Sequence, residues 1–183
     1  MVTAQRPPWL PQRPMRLPMK VSLVIAGGLL LVLLVMNEPL KTEAAPQGMV
    51  SFQLAGDVVQ ANAILQSWRN GSLALAEMSL WIDFLFILAY VAALLQLTRH
   101  FTRDRPGIRE RKVARWVRTL FVVAGASDIA ENIVLMNNLD PATSALSLTA
   151  TLLALIKFTG LMLGIAGLVV IRAARRHPLT PAS

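Results

Sequence analysis

Two carboxylates and an amide lie close together in an otherwise apolar part of the chain. The stretch AGASDIAENIVLMNNL, residues 124–139, contains Asp128, Glu131 and Asn132. These positions are three and four residues apart, so their side chains share one stripe of a helix. Neighbouring carboxylates can serve as general acid and base, bind a cation or carry a proton. The spacing makes these residues the first candidates for a functional site.

Two other apolar stretches carry polar side chains that can join this stripe. Asp83 and Tyr90 are seven residues apart and share a helix face, and Lys157 lies on the same side of its helix as Gly160 and Gly164. The two glycines form a small-xxx-small pattern, which lets a neighbouring helix approach closely. With a helix rise of about 1.5 Å per residue, the charged groups of all three stretches reach a similar depth. We therefore expect them to meet in one cluster.

The expected cluster contains more acid than base. A lone charge at mid-membrane costs about 2.5–3.5 kcal/mol on insertion scales, so Lys157 should pair with carboxylates. Three carboxylates, those of Asp83, Asp128 and Glu131, would still face one ammonium group. Desolvation and like-charge repulsion oppose ionisation of all three. We expect one of them to be protonated at neutral pH, or a bound cation or water to supply the balance.

The composition indicates a helical membrane protein. Of the 183 residues, 55% are hydrophobic, and the mean hydropathy is +0.54, whereas soluble domains contain about 45–50% apolar residues. The apolar residues form long blocks, and about 20 such residues cross the hydrocarbon core as a helix. The predicted fold is an all-α integral membrane four-helix bundle with an additional amphipathic interfacial helix.

A single membrane domain is predicted over residues 21–172. Its spans are expected at about 21–37, 73–97, 116–138 and 146–171. The first apolar block fits either a membrane anchor or the apolar core of a signal peptide. The following KTEAAP is a poor cleavage site, because Pro46 would block cutting after Ala45. An uncleaved anchor is therefore favoured.

An amphipathic helix is predicted at about 49–69, between the first two spans. Apolar residues recur every three or four positions on one face, namely Val50, Leu54, Val58, Ala61, Leu65 and Trp68. Polar residues lie opposite them, namely Gln53, Asp57, Gln60 and Ser67. A helix of this kind can lie in the membrane interface, or it can pack on the bundle as a cap.

The basic residues predict the orientation. Four precede Val21, eight lie between Arg99 and Arg118, and three follow the fourth span, whereas the intervening outer segments hold only Lys41 and Arg69. Basic residues favour the cytoplasmic side. We expect a multi-pass protein of the bacterial inner (plasma) membrane with cytoplasmic termini. Residues 1–20, with five prolines, are predicted to be a disordered basic tail, and 173–183 a second basic tail.

Several classes of site are excluded or disfavoured. The chain has no Cys, which excludes disulfides, thiolate metal sites, a Cys nucleophile and thioether-linked haem. Its two His residues lie in basic segments at predicted membrane edges, so no metal and no cofactor is expected. The sequence lacks HExxH, GxSxG, P-loop and dinucleotide-binding motifs. The basic residues behind the net charge of +8 lie between and after the apolar blocks, as membrane topology requires, so no nucleic-acid partner is expected. The basic loop also has the charge to attract anionic lipid.

Four motifs resemble a pattern in small bacterial four-span membrane proteins. The motifs ILQSW, SLWIDFLFILAY, AGASDIAENIVLM and LIKFTGL fit the form W…SL..DF.FI..Y…AG..D..EN..L…KF over about residues 49–165. The resemblance implies a bacterial origin and assigns no role to any residue. It marks the polar positions of the pattern, which are Asp83, Asp128, Glu131, Asn132 and Lys157.

Three functional hypotheses follow. The leading hypothesis is that the polar cluster, with Tyr90, binds a small polar molecule, an ion or a lipid headgroup. The chain could instead be an accessory or assembly subunit of a larger membrane complex. It could also be a membrane enzyme that acts on a lipid or isoprenoid with carboxylates as acid and base. The expected partners are the lipid bilayer, a bound lipid or small ligand, and either further copies of the chain or a larger complex.

Overall fold

The computed structural model describes residues 17–69, 71–103 and 108–173, which contain helices and connecting turns and no strand. The prediction of an all-α protein is confirmed. The helices are α1 (Leu17–Asn37), α2 (Met49–Gln53), α3 (Val58–Trp68), α4 (Leu73–Thr102), α5 (Ile108–Asn137) and α6 (Ser144–Ala173), with a 3₁₀ turn at Glu38–Leu40. Four of them are long and apolar enough to cross a membrane, with mean hydropathies of 2.5, 2.1, 1.5 and 2.2 in chain order.

The long helices extend further than the apolar blocks. Helix α4 continues to Thr102 and α5 begins at Ile108, so most of the basic segment 99–118 is helical rather than a loop. Lys and Arg have high helix propensity, which lets both helices continue beyond their apolar residues. Residues 17–20, assigned above to the tail, belong to α1.

The remainder of both predicted tails, residues 1–16 and 174–183, lies outside the described residues.

Helix α5 is the central helix of the structure, and α1 lies at its edge. Within the most apolar 18-residue stretch of each long helix, the share of buried residues is 44% in α5, 28% in α4, 33% in α6 and 6% in α1. Helix α5 packs against both α4 and α6, which touch each other only lightly, while α1 packs mainly on α4. The four long helices therefore form an open row, α1–α4–α5–α6.

The closest helix pair is α5 and α6, and glycines on α6 make the approach possible. A methyl group at Gly160 would lie 3.1 Å from the Cβ of Ala124 and 3.3 Å from the carbonyl oxygen of Leu120. At Gly164, an added Cβ would collide with the ring of Phe121. The small-xxx-small pattern thus serves the close backbone approach for which such patterns are known.

A cap of short elements covers the end of the long helices where α4 and α6 begin. Trp68 is fully buried there, donates a hydrogen bond from Nε1 to the carbonyl of Leu40 at 2.8 Å, and contacts the ring of Phe52 edge-on. Thr151 of α6 ties the cap to the long helices, since its hydroxyl donates to the carbonyl of Gln53 at 3.0 Å and accepts from the amide of Gly56 at 3.1 Å.

The cap replaces the single amphipathic helix predicted at 49–69. Gly56 has a φ of +74°, a left-handed conformation that glycine adopts easily, and it separates α2 from α3. Asp57 then begins α3 by accepting a hydrogen bond from the amide of Gln60 at 2.8 Å. The apolar side of α3 is buried against protein, at Ala61, Ile64, Leu65 and Trp68. The segment thus packs as a cap, the second of the two expected arrangements.

The tight α5–α6 contact gives a first prediction. Replacing Gly164 with Val should push the two helices apart, because the added side chain meets Phe121, and overpacking of this kind costs about 1–3 kcal/mol. The thermal midpoint of the purified protein in detergent should fall accordingly. Gly28→Val is the matched control, since a Cβ there meets no described atom within 4 Å. Equal midpoints for the two variants would contradict the inferred contact.

Candidate functional site

The structure brings together the side chains that the sequence nominated. Because α5 lies between α4 and α6, its polar stripe meets side chains from both neighbours. We call this group the polar cluster, and its members are Asp83 and Tyr90 of α4, Asp128, Glu131 and Asn132 of α5, and Lys157 of α6. All of them are buried except Asp83, which is half-buried.

The Asp128 carboxylate joins all three helices. The Lys157 ammonium donates to Oδ1 of Asp128 at 3.0 Å, and the Tyr90 hydroxyl donates to Oδ2 at 2.9 Å. Both oxygens of the Asp128 carboxylate are thus bound, one from α6 and one from α4. Tyr90 combines this role with packing, since its ring contacts Phe86 at a centroid distance of 5.1 Å.

Lys157 also contacts a second carboxylate. Its ammonium also lies 2.6 Å from Oε2 of Glu131, which makes a second buried ion pair. Glu131 is fully buried, and its other oxygen, Oε1, has no hydrogen-bond partner among the described residues. One ammonium group therefore bridges two carboxylates, and one of those carboxylates is only half satisfied.

Asn132 and Asp83 form the other side of the cluster. The Asn132 amide donates from Nδ2 to Oδ2 of Asp83 at 2.7 Å. Its carbonyl oxygen, Oδ1, is buried and meets no donor within the part of the chain that the structure describes. This side of the cluster holds a carboxylate and an amide, but no basic group contacts it in the described structure.

Apolar layers enclose the cluster along the helix axes. On the cap side, Leu80 lies three residues before Asp83 and Leu135 four residues after Glu131, and both belong to the fully buried core beneath the cap. On the opposite side, Ile87 and its apolar neighbours form a second buried core. The half-buried Asp83 is the least enclosed member of the cluster.

Two polar residues that the sequence reading missed fasten the helices near the cluster. Ser127 donates from its hydroxyl to the carbonyl of Leu153 at 2.8 Å and so links α5 to α6. Asn138 donates to the Ser147 hydroxyl at 3.0 Å and accepts from the Thr143 amide at 2.9 Å, which orders the turn between these helices. Ser127 directly precedes Asp128, and Asn138 lies in the turn sequence NNLDP, but neither position alone signals its partner.

Within residues 17–69, 71–103 and 108–173, no group of three or more His, Asp and Glu side chains is placed to hold a metal ion. The Lys157 ammonium lies where a cation would otherwise bridge Asp128 and Glu131.

Comparisons with known proteins find no match: no family model, no curated protein and no solved structure corresponds to this chain.

The bridging role of Lys157 gives a second prediction. Lys157→Met should destabilise the protein by about 3–5 kcal/mol, because it leaves two buried carboxylates without their cation. Adding Glu131→Gln should restore part of that loss, since one uncompensated charge is removed. Both effects can be measured by denaturant unfolding in detergent.

Lys41→Met is the matched control for this prediction. Lys41 pairs with Glu38 at the same 2.6 Å distance, but the two side chains are 43% and 68% exposed. Exposed pairs contribute about 0–1 kcal/mol. Equal losses of unfolding free energy in the two lysine variants would show that the buried ion pair stabilises the protein no more than the exposed pair does.

Proposed function

We propose that the chain is a multi-pass protein of the bacterial inner membrane. Its polar cluster binds a proton, another small cation or a small molecule that donates hydrogen bonds. Four long apolar helices support the membrane setting, since each exceeds the roughly 20 residues needed to span the hydrocarbon core. The bacterial origin rests on the resemblance of the sequence motifs.

The distribution of basic residues supports cytoplasmic termini. The long helices alternate in direction, so the start of α1 and α5 and the end of α4 and α6 lie at one end of the molecule. The described basic residues at that end include Lys20, Arg99, Arg103, Arg111, Lys112, Arg115, Arg118 and Arg172. The cap end carries Lys41 and Arg69. This asymmetry favours the basic end as cytoplasmic.

The observation that carries the proposal is a pair of unsatisfied acceptors in a buried site. Oε1 of Glu131 and Oδ1 of Asn132 both lack a hydrogen-bond donor among the described atoms, although both side chains are fully buried. A buried polar atom without a partner costs about 1–3 kcal/mol, and more when it is charged. A bound species that donates hydrogen bonds or carries positive charge would remove this cost.

The charge balance favours a cation or donor over an anion. Three carboxyl groups face the single ammonium of Lys157, which leaves a formal excess of two negative charges if all ionise. A proton on Glu131 or Asp83, or a small cation beside them, reduces that excess. A phosphate headgroup would increase it, so the lipid-headgroup version of the binding hypothesis is less well supported at this cluster.

The accessory-subunit hypothesis has its own supporting observation. In the most apolar stretch of α1 only 6% of the residues are buried, and α1 packs mainly on α4. A helix that its own chain covers so little leaves a large apolar surface on which another protein, or lipid, can pack. The enzyme hypothesis has less support, because a lipid or isoprenoid substrate would have to reach Glu131, which is fully buried.

A third prediction tests whether the cluster binds a cation or a proton. The purified full chain, in uncharged lipid nanodiscs at neutral pH, should show one of two signals. Either infrared difference spectra contain the band of a protonated carboxyl, or Na⁺ or K⁺ raises the thermal midpoint relative to choline at equal ionic strength. A gain of about 1 kcal/mol corresponds to about 2–4 °C for a chain of this size.

Glu131→Gln should abolish the signal, because it removes one negative charge and supplies its own amide donors. Glu77→Gln is the control, since Glu77 is an exposed carboxylate on α4, and it should behave as wild type. The proposal fails if the spectra show every cluster carboxylate ionised and the thermal midpoints in Na⁺, K⁺ and choline are identical. The polar cluster would then have only a structural role.

A further inference from the structure

A second concentration of charge lies at the basic end, around a surface pocket of about 370 Å³ where α4 ends and α5 begins. We call it the arginine pocket. It is lined by Arg103, Arg111, Arg115 and Arg118, together with Thr102 and Ala114. The three α5 arginines are four and three residues apart and therefore share one helix face.

The pocket requires more explanation than membrane topology provides. Topology needs basic residues on the cytoplasmic side of a span, but it does not need them to line a common concavity. Four like charges close together repel one another unless an anion lies among them. Glu110, in the first turn of α5, is the described carboxylate nearest to these arginines in the sequence.

Some of the pocket's polar groups are already engaged. Nε of Arg118 donates to the carbonyl of Ala114 at 3.1 Å, the Thr102 hydroxyl donates to the carbonyl of Thr98 at 2.8 Å, and Arg111 takes part in an interaction within the chain. Arg103, which directly follows α4, and Arg115 of α5 are exposed and make none of these contacts.

We propose that the arginine pocket binds the phosphate of an anionic phospholipid headgroup. The planar guanidinium group matches the geometry of phosphate oxygens and binds them in a bidentate manner. The pocket volume lies within the range of about 300–1,000 Å³ that small-ligand sites occupy. Basic pockets between the cytoplasmic ends of membrane helices are also where anionic headgroups bind.

An aromatic neighbour favours a lipid over a soluble anion. Trp116 directly follows Arg115 and is 63% exposed on α5. Exposed Trp side chains concentrate at the level of lipid headgroups, where their rings meet both acyl chain and water. The level of Trp116 on α5 therefore indicates that the neighbouring Arg115 lies at headgroup depth.

The arginine pocket is separate from the polar cluster. Arg118 and Asp128 are ten residues apart on α5, which corresponds to about 15 Å along the helix. The two sites also select opposite charges. Lipid binding at the arginine pocket would thus be independent of cation binding at the polar cluster.

Two double variants test the proposal on the full chain in uncharged detergent. Arg103→Gln with Arg115→Gln removes two charges from the pocket. Arg99→Gln with Lys112→Gln removes two charges from exposed residues of the same two helices that do not line it. Native mass spectrometry would count bound phosphatidylglycerol and phosphatidylcholine, and inorganic phosphate would be added as a competitor.

Wild type and the Arg99/Lys112 variant should retain phosphatidylglycerol in preference to phosphatidylcholine. The Arg103/Arg115 variant should lose about tenfold or more of that affinity, since each basic residue near a phosphate contributes a factor of about five. Its thermal midpoint should match that of the Arg99/Lys112 variant, which shows that the fold is intact.

Three results would overturn the proposal. Equal retention of the two lipids by wild type would deny headgroup selectivity. Equal losses in the two double variants would show that net charge acts without the pocket. Displacement of phosphatidylglycerol by an equal concentration of inorganic phosphate would assign the pocket to a soluble anion.

Discussion

The ammonium group of Lys157 faces two buried carboxylates, and the packing of the long helices makes that contact possible. Lysine side chains in membrane helices usually extend their charge toward the interface. Lys157 instead remains 5% exposed, at 3.0 Å from Asp128 and 2.6 Å from Glu131. It can do so because Gly160 and Gly164 on the same face of α6 allow α5 to approach closely. The small residues and the charged residue on α6 are thus parts of one arrangement.

The central position of α5 follows from the same requirement. This helix has the lowest mean hydropathy of the four, 1.5, and its polar stripe must be covered by protein on more than one side. Helix α6 supplies the cation, while α4 supplies the Tyr90 hydroxyl and the Asp83 carboxylate. Helix α1 takes no part in these contacts, which agrees with its position at the edge of the row. The cap then covers the end nearest the cluster with an apolar core.

Much of this was predictable because helical periodicity is a local property. The spacing of Asp128, Glu131 and Asn132 placed them on one stripe, and the predicted depths brought Asp83 and Lys157 to the same level. The single helix at 49–69 was wrong, because Gly56 adopts a left-handed conformation that a count of apolar positions does not register. The prediction of a loop over 99–118 was also wrong in extent, because the helices on both sides continue into this basic segment.

The sequence by itself determined the helical class, the four apolar segments, the basic end and the polar residues that turn inward. Only the tertiary structure decided that Tyr90 and Lys157 share Asp128, that Asn132 meets Asp83, and that Glu131 retains an unsatisfied oxygen. It also decided that α1 lies at the edge of the row and that Arg103, just after α4, lines one pocket with arginines of α5. The physical reason is that periodicity fixes which face of a helix a residue occupies. The pairing of donors with acceptors depends on the rotation and axial shift of one helix against another, which are set by side-chain packing between segments distant in sequence.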